Sequence, residues 1–442
     1  RDYLSTFMKI GVIVLLAVGI IATNPDLLNL PVTDFARTGH GPVFAGSLFP
    51  FVFITIACGA LSGFHATIAS GTTPKMIEKE SQIRLIGYGG MLMESFVAIS
   101  AMIAASIIEP GLYYAMNAPA GLLGDTLQSA SQAVANLGFT ISPADLQRYA
   151  QEVGEQTLIA RTGGAPTLAV GIAQVFAGAF GQGLTAFFYH FAIMFEALFI
   201  LTTVDAGTRV GRFMLQDTLG NVWKPLKRVS WAPGVWVTSA IVVALWGYFL
   251  YVGVNDPLGG INQLFPLFGI SNQLLAAIAL AVCTTLLIKT GRARYAWVTL
   301  LPLAWDAAVT LTASWQKVFS SDPTLGFFAQ RARYAGAVAD GQVLPPAKSM
   351  DDMHQIVTNS TVDGVLSAVF ALLVVVILVD AARASVRALR SPEPLPTTES
   401  PYAPSQIVAP SGLWATAEER AELAAAGETV GAGSRSRRGE GS

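Results

Sequence analysis

Apolar residues run along this chain in long stretches bounded by short polar segments, the pattern of helices surrounded by lipid. A hydrocarbon core of about 30 Å needs roughly 20 mostly apolar residues in a helix. That criterion predicts helices at 8–24, 43–64, 84–108, 167–183, 185–206, 235–253, 263–288, 295–315 and 363–382. Basic residues then sort the stretches that cross from those that do not, because Lys and Arg in short loops mark the cytoplasmic side. They gather in four places: Lys75, Lys79 and Arg84; Arg209, Arg212, Lys224, Lys227 and Arg228; Lys289, Arg292 and Arg294; and Arg383, Arg387 and Arg390. All four share one side only if 167–183 does not cross. That stretch is also short and rich in glycine (Gly171, Gly178, Gly181, Gly183).

The expected fold is therefore all-α, a polytopic helical bundle of about eight transmembrane helices, with 167–183 as a re-entrant or external helix. Both ends of the bundle fall in the cytoplasm, and the external segments are 25–42, 109–184, 254–262 and 316–362. Residues 1–390 form the transmembrane core. Past Arg390 the chain turns to Ser391-Pro392-Glu393-Pro394 and then to Thr, Pro and Ala, so 391–442 reads as a disordered cytoplasmic tail. A short Ala- and Glu-rich helix is predicted over 415–426.

Composition sharpens this picture. Hydrophobic residues make up 52% of the 442 and charged ones 13%, against roughly 25% charged in a soluble domain. Such a chain cannot cover a soluble surface, which excludes a wholly cytosolic enzyme, and it is too apolar for disorder over most of its length. The net charge of −2 gives no reason to expect a nucleic-acid partner. Cys58 and Cys283 lie in apolar runs and build neither a disulfide framework nor a metal site. No cofactor is implied. The chain opens on Arg1 without a signal peptide, and the expectation is of a protein that has lost its beginning.

Ionisable groups at membrane depth are costly, so each is a functional candidate. Glu94 shares a face with Gly87, Gly90, Ala98, Ala101 and Ala105, a stripe of small residues expected to admit a close helix and bury the carboxylate. Glu196 continues a polar stripe of Tyr189 and Thr203, with His190 and Asp205 near the ends of the same helix. Asp306 is central in its span, beside Thr299, Thr310 and Pro302. Two stretches carry helix-breaking chemistry: Gly63-Phe64-His65 through Ser70-Gly71-Thr72-Thr73-Pro74-Lys75, and Pro266-Leu267-Phe268-Gly269-Ile270-Ser271-Asn272-Gln273. Irregular backbone survives in a bilayer only around a cavity or within protein, and interrupted helices build the midplane sites of secondary transporters. Each feature also has a structural reading. Glu94 could join two helices, His65 and His190 could be satisfied structural histidines, Asp205 could pair with Arg209, and the Gly-Thr-Thr-Pro stretch could be a turn.

Several segments resemble one family: Arg1-Asp2-Tyr3-Leu4-Ser5, Ser62-Gly63-Phe64-His65, Ser70-Gly71-Thr72-Thr73-Pro74-Lys75-Met76, Tyr189-His190-Phe191-Ala192, Phe195-Glu196-Ala197 onward to Arg209, and Pro266 to Gln273. Taken together they are similar to the carbon starvation proteins, transporters of the bacterial inner (plasma) membrane, over residues 1 to about 315. The resemblance implies a secondary active transporter that imports peptides or small carboxylates such as pyruvate, coupled to protons and made when carbon is short. It also implies the broken-helix, inverted-repeat architecture of the amino acid–polycation–organocation transporters. Members of the family carry further spans before the Arg-Asp-Tyr-Leu-Ser motif, so a fragment or a trimmed chain is expected.

For an importer, a carboxylate that changes protonation can couple proton flow to solute movement. Burial disfavours the charged form and brings such a group toward ambient pH. Glu196 is the first choice, with His190 as relay and Glu94 and Asp306 as further candidates. Substrate-binding candidates are His65, Ser70, Thr72, Thr73, Lys75, Asn272 and Gln273, which offer hydroxyls, amides, a half-helix N-terminus and a cation. The partners implied are the small-molecule substrate, H⁺ (with Na⁺ as the alternative ion) and membrane lipid. An enzyme reading has no His-Glu-x-x-His or Gly-x-Ser-x-Gly motif behind it. A membrane sensor signalling through the C-terminal tail is the remaining alternative.

Overall fold

The computed structural model describes residues 2–26, 41–43, 45–56, 59, 61–77, 79–228, 231–258, 260–391, 415–422 and 424. Most of 27–40, Cys58 and nearly all of the tail therefore lie outside the described residues; within the predicted tail helix, 417–422 is helical. Every regular element among the described residues is a helix. Six of them are long and apolar enough to cross a membrane, which makes the chain a multi-pass membrane protein. They are α1 (Asp2–Thr23), the run that ends in α4 (Gly89–Ser106), α10 (Thr185–Gly220), α11 (Ala232–Val254), α12 (Gly260–Lys289) and α15 (Met350–Arg390). Their outward faces carry bare apolar side chains, such as Trp236, Leu245 and Leu250 on α11. A patch that size would be a liability in water and is the expected surface in lipid.

Two predicted spans depart from this form. The stretch 43–64 divides into α2 (Leu48–Thr55) and α3 (Gly63–Gly71), with Ile56, Leu61 and Ser62 outside both. The Gly63-to-Lys75 stretch expected to be irregular is instead α3 followed by a short 3₁₀ turn at Thr73–Lys75. Conversely, the expected break at Pro266–Gln273 does not exist, because α12 runs through it unbroken. The span predicted at 295–315 is α13 (Trp297–Phe319), whose polar content keeps it out of the six. It packs against α2, α12 and α15, and its other face, with Leu301, Trp305 and Trp315, is exposed.

The largest apolar cluster lies in a cap rather than among the long helices. Helices α5 (Pro110–Asn117), α6 (Ala120–Leu123), α7 (Leu127–Asn136) and α8 (Pro143–Glu152) bury Leu112, Met116, Val134 and Leu146 against one another. Each such side chain contributes about 1.5–3 kcal/mol on burial. Tyr149 on α8 donates its hydroxyl to Glu109 Oε2 at 2.9 Å, tying this cap to the end of α4. Burial, then that bond and the Glu109 charge, push the Tyr149 phenol up to about 12.

Helix α9 (Gly164–Phe180) is the stretch whose crossing the charge pattern disfavours. It spans about 25 Å at 1.5 Å per residue, and it packs on α1, α4 and α10. Thr167 near its start accepts a hydrogen bond from Asn117 of α5. Gly171 rests on the Ala104 backbone in the last turns of α4, and Gly178 lies against Thr23, the last residue of α1. α9 runs beside the last turns of α1, with Phe176 against Gly19 and Gly178 against Thr23, and packs on α10. A second cap element, α14 (Phe327–Ala339), packs on α13 and α15 at the same end.

Candidate functional site

The interruption between α2 and α3 is held by side chains of α12. Asn272 Oδ1 accepts the Phe64 N–H at 2.8 Å, one of the donors left free at the start of α3, while Ser62 caps His65 N–H at 3.2 Å. Gln273 Nε2 donates to the Phe53 carbonyl at 2.9 Å and Gln273 Oε1 accepts from Thr310 Oγ1 of α13 at 3.0 Å. Asn272 and Gln273 are 3% and 4% exposed. They are therefore a clasp between half-helices, not an open surface. At Gly63 a Cβ would collide with the Asn272 carbonyl and Leu275, so the close approach requires glycine.

Below the two caps lies a cavity of about 1000 Å³. Its walls come from the ends of α2 and α4 (Thr55, Ala101, Ala105), the start of α9 (Gly164, Thr167, Leu168) and the cap residues Tyr113 and Asn117. The other side is α13, α14 and the loop between them, with Pro323, Leu325 and Phe327. Burial pushes the Tyr113 phenol up, which keeps it a neutral hydroxyl. Three chemically decisive side chains line this mostly apolar space: Glu196 of α10, Lys317 of α13 and Gln330 of α14. An apolar chamber with few polar groups is the general form of a small-molecule site.

Of the predicted site residues, Glu196 alone lines the cavity. His190, on the same helix, is exposed and its Nε2 stands beside Gly154 of the cap, away from the cavity wall. Glu94 is not buried between helices as its small-residue stripe suggests; its carboxylate meets His65 Nε2 at 3.4 Å with both side chains about half exposed. The lower part of that stripe is open, with nothing within 4 Å of a Cβ at Gly87 or Gly90, whereas Ala101 and Ala105 line the cavity. Asp306 is 1% exposed and neither carboxylate oxygen has a hydrogen-bond partner among the described residues. Leaving a buried polar group unpaired is costly, which marks Asp306 out from ordinary core polarity. The three carboxylates do not converge.

Ser70, Thr72 and Thr73 are placed away from the cavity lining. The Ser70 hydroxyl donates to the Ala66 carbonyl at 2.9 Å, and those of Thr72 and Thr73 to the Ile68 carbonyl at 3.2 and 3.1 Å. Lys75 Nζ sits 4.0 Å over the Phe213 ring, at the uncapped end. Asp205 pairs with Arg209 at 2.9 Å, as the i, i+4 spacing suggests. Among the described residues no cluster of three or more His, Cys, Asp and Glu could hold a metal ion.

Lys317 and Gln330 are what sequence reading missed. Lys317 is 5% exposed and lies over two aromatic rings, 5.4 Å from the Phe51 centroid and 5.2 Å from that of Phe327. A lysine near the end of an apolar run resembles an interfacial anchor, and the burying residues come from distant segments. The one available signal was its helical register with Asp306, Thr310 and Ser314, all of which face inward.

An all-helical, multi-pass membrane fold enclosing a sparsely charged chamber defines an integral membrane protein with a solute-sized site. The carbon starvation protein CstA family model matches residues 1–313, and the chain belongs to that family. It is 54% identical over 428 residues to the peptide transporter CstA of Mycobacterium tuberculosis (strain H37Rv), covering 95% of this chain and 56% of that protein. To the peptide transporter CstA of Escherichia coli (strain K12) it is 53% identical over 410 residues, covering 91% and 58%. To the pyruvate/proton symporter BtsT of the same organism it is 48% identical over 427 residues, covering 91% and 59%. The chain thus spans somewhat more than half the length of these relatives, which are named as transporters. No solved structure matches it.

Proposed function

We propose that this protein is a secondary active transporter that imports peptides or small carboxylates such as pyruvate, driven by protons, across the bacterial inner membrane. The observation that carries this reading is the cavity of about 1000 Å³ that brings Glu196 of a membrane helix into one chamber with Lys317 and Gln330. A solute held there lies beside a carboxylate able to take up or release a proton, which is the minimal arrangement for coupling one to the other. The names of the relatives, peptide transporter and pyruvate/proton symporter, support the two substrate classes and the choice of H⁺ over Na⁺. The four basic segments favour a cytoplasmic uncapped end and termini, so that the cavity lies toward the outer face. Synthesis during carbon shortage is part of the same reading.

The test is uptake of labelled pyruvate and of a labelled tripeptide by cells making the complete protein, followed from pH 5.5 to 8. Wild-type uptake should rise with external acidity. Glu196→Gln should lose that pH dependence and at least tenfold of the concentrative rate, while exchange of substrate across the membrane persists. Unchanged pH-dependent uptake in the variant removes Glu196 from the coupling role.

A further inference from the structure

Lys317 presents a physical problem that the rest of the fold does not resolve. It is 5% exposed, yet among the described residues no carboxylate comes within ion-pair distance of it and none makes a hydrogen bond with its ammonium. Asp363 of α15 and Asp322 of the cap loop are the acids whose charge reaches it, and Asp322 is engaged with Thr324 N–H and Oγ1, both at 2.8 Å. Two aromatic rings flank the ammonium, which offsets only part of the cost of taking a charge out of water. The remaining direction is the cavity. Gln330 lines the same cavity; its carbonyl oxygen accepts from Ser360 at 2.9 Å, and its NH₂ has no partner among the described residues.

A buried ammonium and an amide donor at the wall of one apolar chamber form a receptor for a single anionic group of two oxygens. We infer that Lys317 is the carboxylate-binding residue of the cavity, with the Gln330 NH₂ as second donor, and that the terminal carboxylate of a peptide or the carboxylate of a 2-oxo acid docks there. This rests on the transporter reading for its choice of substrate but not for the binding itself. A charge-assisted hydrogen bond from an ammonium in a water-poor site is among the stronger polar contacts available. It also distinguishes a free acid from its amide, since the amide leaves the ammonium buried and unneutralised. The Phe51 and Phe327 rings leave the carboxylate its approach from the chamber side. Helix α13 carries the ammonium, and Pro323 to Gly326 of the following loop line the same cavity.

The experiment is equilibrium binding of trialanine, trialanine amide and pyruvate to the purified full chain in lipid nanodiscs, with uptake measured on the same variants. Wild type should bind the free acid at least tenfold more tightly than the amide. Lys317→Gln should lose at least tenfold for trialanine and pyruvate and bring the acid-to-amide ratio near one. Lys317→Arg should keep most of the preference, and Lys348→Gln, which changes an exposed cap lysine, should change nothing. An acid preference that survives Lys317→Gln overturns the assignment even if transport is intact. A preference present in wild type and lost in the variant upholds it even if no uptake occurs, in which case the transporter reading fails alone. Absence of carboxylate binding by wild type overturns both. Should Lys317→Gln not fold, acetylation of wild-type lysines by N-hydroxysuccinimidyl acetate, read by mass spectrometry, serves instead: saturating pyruvate should protect Lys317 at least fivefold relative to Lys348, and equal labelling overturns the assignment.

Discussion

A single missing methyl decides how close the interrupted helix can come to α12. At Gly63 an added Cβ would meet backbone, which cannot swing aside as a side chain can. Gly63→Ala should therefore destabilise the protein by about 1–3 kcal/mol, the usual range for overpacking. Gly87→Ala, where nothing lies within 4 Å, should stay within about 0.5 kcal/mol. Thermal unfolding of both variants in the same detergent checks the contrast, and equal shifts would deny Gly63 its role. Residues also mark the limits of sequence reading. Glu196 was legible because its polar stripe with Tyr189 and Thr203 sets it apart on an otherwise apolar helix, and it does line the cavity. Lys317 was not, because basic residues at helix ends are common and its burial depends on Phe51 and Phe327, distant in the chain. Ser70, Thr72 and Thr73 were over-read: a hydroxyl on a helix usually satisfies its own preceding turn, as these do.

Among the elements, the interruption itself was foreseeable but its place was not. Glycine, hydroxyls and proline put the irregular stretch at Gly63–Lys75, yet α2 ends at Thr55 and α3 begins at Gly63. The cue available was Ser62, whose hydroxyl caps His65 N–H and so begins a helix rather than ending one. Pro266 to Gln273 looked equally fragile, but α12 stays continuous because its polar residues turn outward from the helix axis to serve α2, α3 and α13. The clasp makes a prediction. Gln273→Leu removes both the bond to the Phe53 carbonyl and that to Thr310, and should cost about 1–3 kcal/mol because the carbonyl stays buried. Thr310→Val made in addition should cost little more, since its partner is already gone. Full additivity of the two in thermal unfolding would show that Gln273 does not join the elements.

For the whole molecule, the arrangement of charge along the chain carried more information than any local motif. The count of basic segments sets 167–183 apart from the crossing helices, and α9 is a shorter apolar helix than the six able to cross, packed on α1, α4 and α10. What no charge count could reveal is that the deepest apolar core is in the cap, since its helices are short and amphipathic and fold on one another. The placement of α9 can be checked by cysteine labelling in a background lacking Cys58 and Cys283. Thr157→Cys and Phe180→Cys, before and at the end of α9, should both react with an impermeant maleimide from one side of the membrane, and Thr290→Cys only from the other. Labelling of 157 and 180 from opposite sides would make α9 a crossing helix.

Helix α15 is 41 residues long and uninterrupted, about 60 Å of stiff rod at 1.5 Å per residue. A third of the way along it carries Asp363, whose charge reaches the buried lysine, and toward the other end Ser385 meets Thr285 of α12 at 3.3 Å. A rod pivoted near its middle is a seesaw: a tilt of about 6° carries each tip roughly 3 Å, in opposite directions. A shift of α14, packed on its early turns, and a shift against α12 at its far end are then one displacement, delivered by a single piece of backbone with no joint to absorb it.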